Sequence, residues 1–228
     1  MWNIVGCYGF DRDGVDALRE VFMRLNANLF VALAVSIAFT MPVGAGSIIE
    51  EWDSVKAPPA PALKPVTVDP KTTALLMLDF MNQNCGKRPR CLASIPAMKK
   101  LLEAARTSKT PVIYSFIANS TADDVIKEVA PIAGEPSVTS GPNKFLRTDL
   151  EKILKDKGVQ TVIVVGTAAN GAVLNTASQA ALMGLNVIIP VDGISGDPYA
   201  EQYTAWHMLN APGVSAKSTL TSSDMMKF

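Results

Sequence analysis

The chain has 228 residues with 21 Lys+Arg against 21 Asp+Glu, so its formal charge is zero. Charged residues make up 18%, below the roughly 25% usual in soluble domains, and apolar residues make up 48%. Neutrality excludes an electrostatic nucleic-acid binder, and high apolar content excludes a disordered chain. A single histidine, His207, excludes a His-rich zinc site, and three cysteines cannot build a four-cysteine one. No metal and no cofactor are expected.

The first feature along the chain is LFVALAVSIAFTM (29–41), an uncharged run. It is shorter than the roughly 20 apolar residues a bilayer span needs and has the length of a signal-peptide core. Val43 and Ala45 form a small-residue cleavage pattern before Gly46, and Met23-Arg24 supplies a short positive start. Residues 23–45 are therefore expected to be a signal peptide, and 1–22, which include Cys7, an over-extended start. An uncleaved membrane anchor and a buried helix are the alternatives. Cleavage would leave 183 residues (228 less the first 45), with 18 basic and 17 acidic side chains. Exported, the protein would be periplasmic or secreted, touching the membrane only through this segment. Residues 46–70 contain KAPPAPALKP, which cannot propagate a helix. They read as a linker, or as an arm laid over the domain.

The body, 71–228, alternates strands and helices. TTALLMLDF (72–80) is a short apolar run, as in a strand buried on both faces. SIPAMKKLLEAARTSKT (94–110) reads as a helix with Ser94 as N-cap and Pro96 in its first turn. PVIYSFI (111–117) is a second strand, and a short helix is expected within 121–134, stopped near Pro131. TDLEKILKDKG (148–158) reads as a helix with a Thr148/Glu151 capping box and Gly158 at its end. TVIVVGT (161–167) is the most apolar strand, followed by a helix over 170–183 closed by Gly184. NVIIPVDG (186–193) is a strand, 197–209 the last long helix, and VSAKSTLT (214–221) an edge strand. This alternation implies an α/β fold whose parallel sheet carries helices on both faces. Ligand sites in such sheets lie beyond the carboxyl ends of the strands.

Three features meet that expectation. Asp79 follows LLML directly, where an unused carboxylate is costly. GTAANGAV (166–173) is a Gly/Ala-rich turn into a helix that can offer backbone N–H groups to an anion. Lys144 precedes the intervening helix. Singly, each has an ordinary explanation: a cap, a surface lysine, close packing.

In this order they resemble the isochorismatase-like hydrolases of the cysteine hydrolase superfamily. TALLMLDFMNQ, Lys144 and the run from TDLEKILKDKG through GTAANGAV to VDGIS carry the resemblance, which spans about Thr72 to Leu220. It implies a three-layer α/β/α sandwich, a mostly parallel six-stranded Rossmann-like sheet and a homo-oligomer. It implies a small-molecule substrate, carboxylate- or carbonyl-bearing. Asp79 and Lys144 are the expected catalytic pair. In the family's thiol enzymes the nucleophilic cysteine is the seventh residue of the turn counted from its glycine. Here that position is Ala172, followed by Val173. A methyl group cannot carry an acyl group. True isochorismatases have glycine there and hydrolyse a vinyl ether by proton transfer, keeping Asp and Lys. The expected activity is therefore hydrolysis by Asp79 general acid/base catalysis; the rival is an inactive family member that binds a metabolite. Asn82, Asn119, Ala168, Asn170 and Gly171 are candidate substrate-binding positions, Asn82 also as a hydrogen-bond partner orienting Asp79.

Cys85 and Cys91 follow Asp79 closely. In an exported protein they read as a disulfide; a free thiolate favoured by Lys87, Arg88 and Arg90 is the alternative, and would restore a thiol mechanism. His207 reads as a helix-face residue, Tyr199, Tyr203 and Trp206 as packing or oligomer contacts, and KRPR (87–90) as a solvated loop.

Overall fold

A computed structural model describes residues 46–228. The expected export segment, the over-extended start and Cys7 lie outside the described residues. Two units are distinguished, divided after Ala57. Within 46–57, Ser47 caps a single helical turn, α1 (Ile48–Glu51), by a capping box with Glu50. No helix among the described residues is long and apolar enough to cross a membrane.

The unit from Pro58 onward is built on a parallel sheet. Its strands are β2 (Thr73–Leu78), β3 (Val112–Phe116), β4 (Ser137–Thr139), β5 (Thr161–Thr167), β6 (Asn186–Pro190) and β8 (Ser218–Thr221), in the spatial order β4-β3-β2-β5-β6-β8. A short β7 (Ile194–Ser195) takes over from β6 beside the last two residues of β5. Every residue of β2 is buried. Its pleat divides them between two cores. Ala74, Leu76 and Leu78 join Val162 and Val164 on one face; Leu75 and Met77 join Ile163 and Val165 on the other. Helices α2 (Pro89–Thr107), α3 (Leu150–Asp156), α4 (Leu174–Leu182) and α5 (Pro198–Asn210) cover the faces. This is the expected α/β sandwich. A two-stranded parallel ribbon of β1 (Val66–Thr67) and β9 (Met226–Lys227) was not anticipated. At the end of the Pro/Ala-rich segment Leu63 packs on the core and Lys64 N donates to Leu220 O at 3.0 Å.

Several boundaries differ from the sequence expectation, each for a local reason. Helix α2 starts at Pro89, whose ring presets the first turn. Ser94 therefore lies inside it and bonds Cys91 O at 2.7 Å instead of capping, and Pro96 is interior. No α-helix forms within 121–134, only single turns at Ala122–Asp124 and Lys127–Val129. The backbone there is drawn into pairing with the loop after β2. Asn82 N donates to Asp124 O at 2.8 Å and Ile126 N to Phe80 O at 3.0 Å. Thr148 forms no box with Glu151; its hydroxyl donates to Lys144 O at 2.5 Å, and α3 starts at Leu150. The segment after β5 opens with a wide π-helical turn, Ala169–Val173, before α4 proper.

Strand order reverses between β2 and β5. From β2 the chain proceeds outward to β3 and β4, and from β5 to β6 and β8 in the other direction. A crevice opens at such a switch point. Asp79 follows β2 and the 168–173 turn follows β5, so both flank it.

Candidate active site

Asp79 is the first residue past β2 and has φ 60°. Asp and Asn tolerate this left-handed backbone better than most residues. The turn redirects its carboxylate into the interior, where the residue is 3% exposed. Its Oδ2 accepts from Lys144 Nζ at 2.7 Å and its Oδ1 from Ser115 Oγ at 2.7 Å. Burial pushes the Asp79 carboxyl above the ordinary carboxylate range, against the opposing pull of Lys144, Ser115 and Arg88.

Lys144 is fully buried. Its Nζ also donates to Ser140 O at 3.3 Å, and its backbone N to Thr176 Oγ1 on α4 at 3.2 Å. Thr176 reaches back to Pro142 O at 3.3 Å. The lysine is thus held from its own loop, from α4 and from Thr148. The pair is a buried acid beside a buried cation, suited to holding a proton near the strand ends and moving it.

The loop after Asp79 is fastened from below by a disulfide between Cys85 and Cys91, with Cα atoms 5.3 Å apart. Both thiols are consumed, which leaves no cysteine nucleophile among the described residues. Within this loop Asn84 Nδ2 donates to Asp79 O at 3.4 Å and to Thr167 O at 3.5 Å, spanning the ends of β2 and β5.

The other sequence candidates separate into near and far. Ala172 and Ala169 are buried in the π-helical turn, Ala168 and Gly171 are half-buried and Asn170 is exposed. Gly171 N is bonded to Ala168 O at 3.0 Å, so this donor is spent inside the turn. Asn82 does not orient Asp79: its side chain is exposed and donates to Asp124 O at 3.0 Å, because the loop pairing turns it outward. Asn119, with φ 62°, is exposed on the loop after β3. His207 lies on α5 beside Ser178 Oγ, 3.3 Å away. Tyr199, Tyr203 and Trp206 form an exposed stacked stripe on the same helix, with centroid spacings of 6.4 and 6.3 Å. Sequence reading missed Ser115, Asn84 and Thr176. Ser115 had a signal: it is a serine near the carboxyl end of an otherwise apolar and aromatic strand. Asn84 and Thr176 had none. No cluster of three or more His, Cys, Asp or Glu suited to a metal occurs among the described residues.

With this geometry in hand, the comparisons with known proteins are decisive at the level of family. The isochorismatase domain profile matches residues 73–221, about two thirds of the chain. The chain belongs to the isochorismatase family. A secreted isochorismatase effector of Verticillium dahliae is 27% identical over 144 residues, 57% of this chain and 76% of the effector. An isochorismatase family protein of Bacillus subtilis is 26% identical over 146 residues, 54% of this chain and 81% of that protein. Among solved structures, the N-carbamoylsarcosine amidase of Thermoplasma acidophilum superposes with TM-score 0.58 at 24% identity, covering 67% of this chain and 97% of the amidase. An isochorismatase-like hydrolase of Alkaliphilus metalliredigens gives TM-score 0.61 at 23% identity, covering 67% and 87%. At these identities the structures establish the shared isochorismatase fold.

Proposed function

We propose that this isochorismatase-family hydrolase works without a thiol nucleophile, using Asp79 as general acid and base on a small carboxylate- or carbonyl-bearing metabolite. The observation that carries the reading is the buried Asp79–Lys144 pair, 2.7 Å apart, at the sheet's switch point. Ala172 stands, by its count from Gly166, where the thiol enzymes carry their cysteine. Its methyl cannot attack a carbonyl, and the cysteines near the site are bridged to each other.

The chemistry left to the site is proton transfer. For a vinyl ether, protonated Asp79 delivers its proton to the terminal carbon, giving an oxocarbenium ion. Water adds to that ion and returns a proton to the Asp79 carboxylate. The hemiketal then collapses to a ketone and an alcohol. Burial raises the Asp79 pKa and so favours the first step, and Lys144 stabilises the carboxylate it leaves. A second reading, a binding protein that turns nothing over, is favoured by the same missing thiol.

Export belongs to this proposal. It is supported by the secreted relative and by the disulfide, which persists in oxidising compartments. Homo-oligomeric assembly belongs to it through the family resemblance.

The test is a screen of the protein against vinyl ethers, amides and carbamoyl amines with Asp79→Asn as control. The pH profile adds a signature. Because Asp79 is active protonated and burial raises its pKa, kcat/KM should be high in acid and fall as pH rises through that raised value. The fall should lie above the ordinary carboxylate range. Lys144→Met removes the largest opposing influence and should move the fall to higher pH. A falling limb in the ordinary range, or one unmoved by Lys144→Met, would place the acid elsewhere.

A further inference from the structure

The described part of the chain contains arginines in three different situations. Arg106 uses Nε and Nη2 to grip Glu135, both at 2.8 Å. Arg90 turns the same edge to Glu201. Arg147 is exposed on the surface. Arg88 differs from all of these. It is half-buried, and its Nη1 donates to Asn84 O at 3.1 Å and to Asn84 Oδ1. Among the described residues its Nε and Nη2 have no acceptor, and it forms no ion pair.

That free edge is held in place. Arg88 lies inside the seven-residue segment closed by the Cys85–Cys91 disulfide. Asn84, which its Nη1 grips, bonds the backbone at Asp79 and Thr167, the ends of the two strands that form the crevice. The Arg88 charge is close enough to Asp79 to favour the ionised carboxylate. A guanidinium edge with two parallel donors matches a carboxylate bidentately.

We infer that Arg88 is a specificity-determining residue that receives a carboxylate of the substrate on its Nε/Nη2 edge while Asp79 faces the reacting atoms. This rests on the functional reading above and narrows its substrate class from carbonyl or carboxylate compounds to carboxylates. Asn84 and the disulfide act as positioning elements for the guanidinium.

Calorimetry on the full chain separates this from catalysis, with benzoate and pyruvate as probes, and benzamide and pyruvamide as their neutral counterparts. Wild type should prefer the carboxylate of at least one pair by about ten- to a hundredfold, the worth of a charge-assisted hydrogen-bonded contact. Arg88→Gln should abolish that preference. Arg88→Lys keeps the charge without the fork, and should retain only part of it. Equal binding of acid and amide by wild type, no binding of either acid, a preference that survives Arg88→Gln, or inorganic phosphate bound as well as the acids would overturn the inference. The two readings fail separately. Asp79-dependent turnover without a carboxylate preference sinks this inference alone. An Arg88-dependent preference without Asp79-dependent turnover sinks the hydrolase and leaves the anion site.

Discussion

Lys144→Met is expected to destabilise the fold by about 3–5 kcal/mol at neutral pH, the cost of leaving one member of a buried ion pair without its partner. Methionine matches the lysine stem closely enough to fill the space, so the loss is electrostatic and not a cavity. The stranded group is the Asp79 carboxylate, 3% exposed and then supported by Ser115 alone among its two side-chain donors. The pH dependence follows from its sign. Asp79 already has a raised pKa, and loss of Lys144 raises it further. A group whose folded pKa is raised supports stability most below its unfolded pKa, and that support is lost as pH rises through the folded value. The Lys144→Met defect should thus shrink in acid and be greatest at neutral pH and above. Asp79→Asn/Lys144→Met, which removes both charges and keeps a residue that tolerates φ 60°, should be less destabilised than the two single losses added together. Urea denaturation of the four proteins at acid and neutral pH provides the cycle. A Lys144→Met variant within about 0.5 kcal/mol of wild type, the range of ordinary surface changes, would mean that the pair is not structurally coupled.

Gly166→Ala is the second large effect. Gly166 is paired with Leu78 across the two central strands and has φ 140°, a backbone that side chains rarely adopt. A Cβ there would stand 2.0 Å from Leu78 O and 2.7 Å from Leu78 Cβ. The obstacle is main chain in a sheet buried on both sides, so it cannot swing away. Relief requires β5 to separate from β2 at the residue before Asp79. Overpacking and unfavourable backbone together should cost about 2–5 kcal/mol, read as a fall in the urea midpoint. Asp79-dependent turnover should fall as well in whatever protein remains folded, since the strand ends carry the site. An unchanged midpoint would show that the close approach of the strands is not required.

The central strands were legible because burial on both faces leaves an unmistakable run, as in TALLML and TVIVVGT. Asp79 stood out for the same reason, as a charge where the run demanded none. Lys144 was legible only through order along the chain and family resemblance, since nothing local distinguishes it from a surface lysine. Segment 121–134 was misread because its backbone partners, Phe80 and the loop to Asn82, lie some forty residues away, and those bonds displaced a short helix of weak intrinsic stability. The same pairing turned Asn82 outward and left Asn84 to span the strand ends. Neither could be read from spacing, because asparagines in one loop differ only in where the loop is pinned. The π-helical turn at Ala169–Val173 was likewise hidden, since small residues in a row suit an ordinary helix equally well.

In the proposed role Asp79 performs hydrolysis without a covalent thiol step. Its most direct measurement is product release from vinyl ethers, amides and carbamoyl amines by wild type and Asp79→Asn, with folding of both verified by circular dichroism. That role predicts turnover on at least one vinyl ether or carbonyl substrate and a loss of about 10²–10⁴-fold in Asp79→Asn. Turnover undiminished in Asp79→Asn, or no turnover on any of the three classes by the folded wild type, would contradict it.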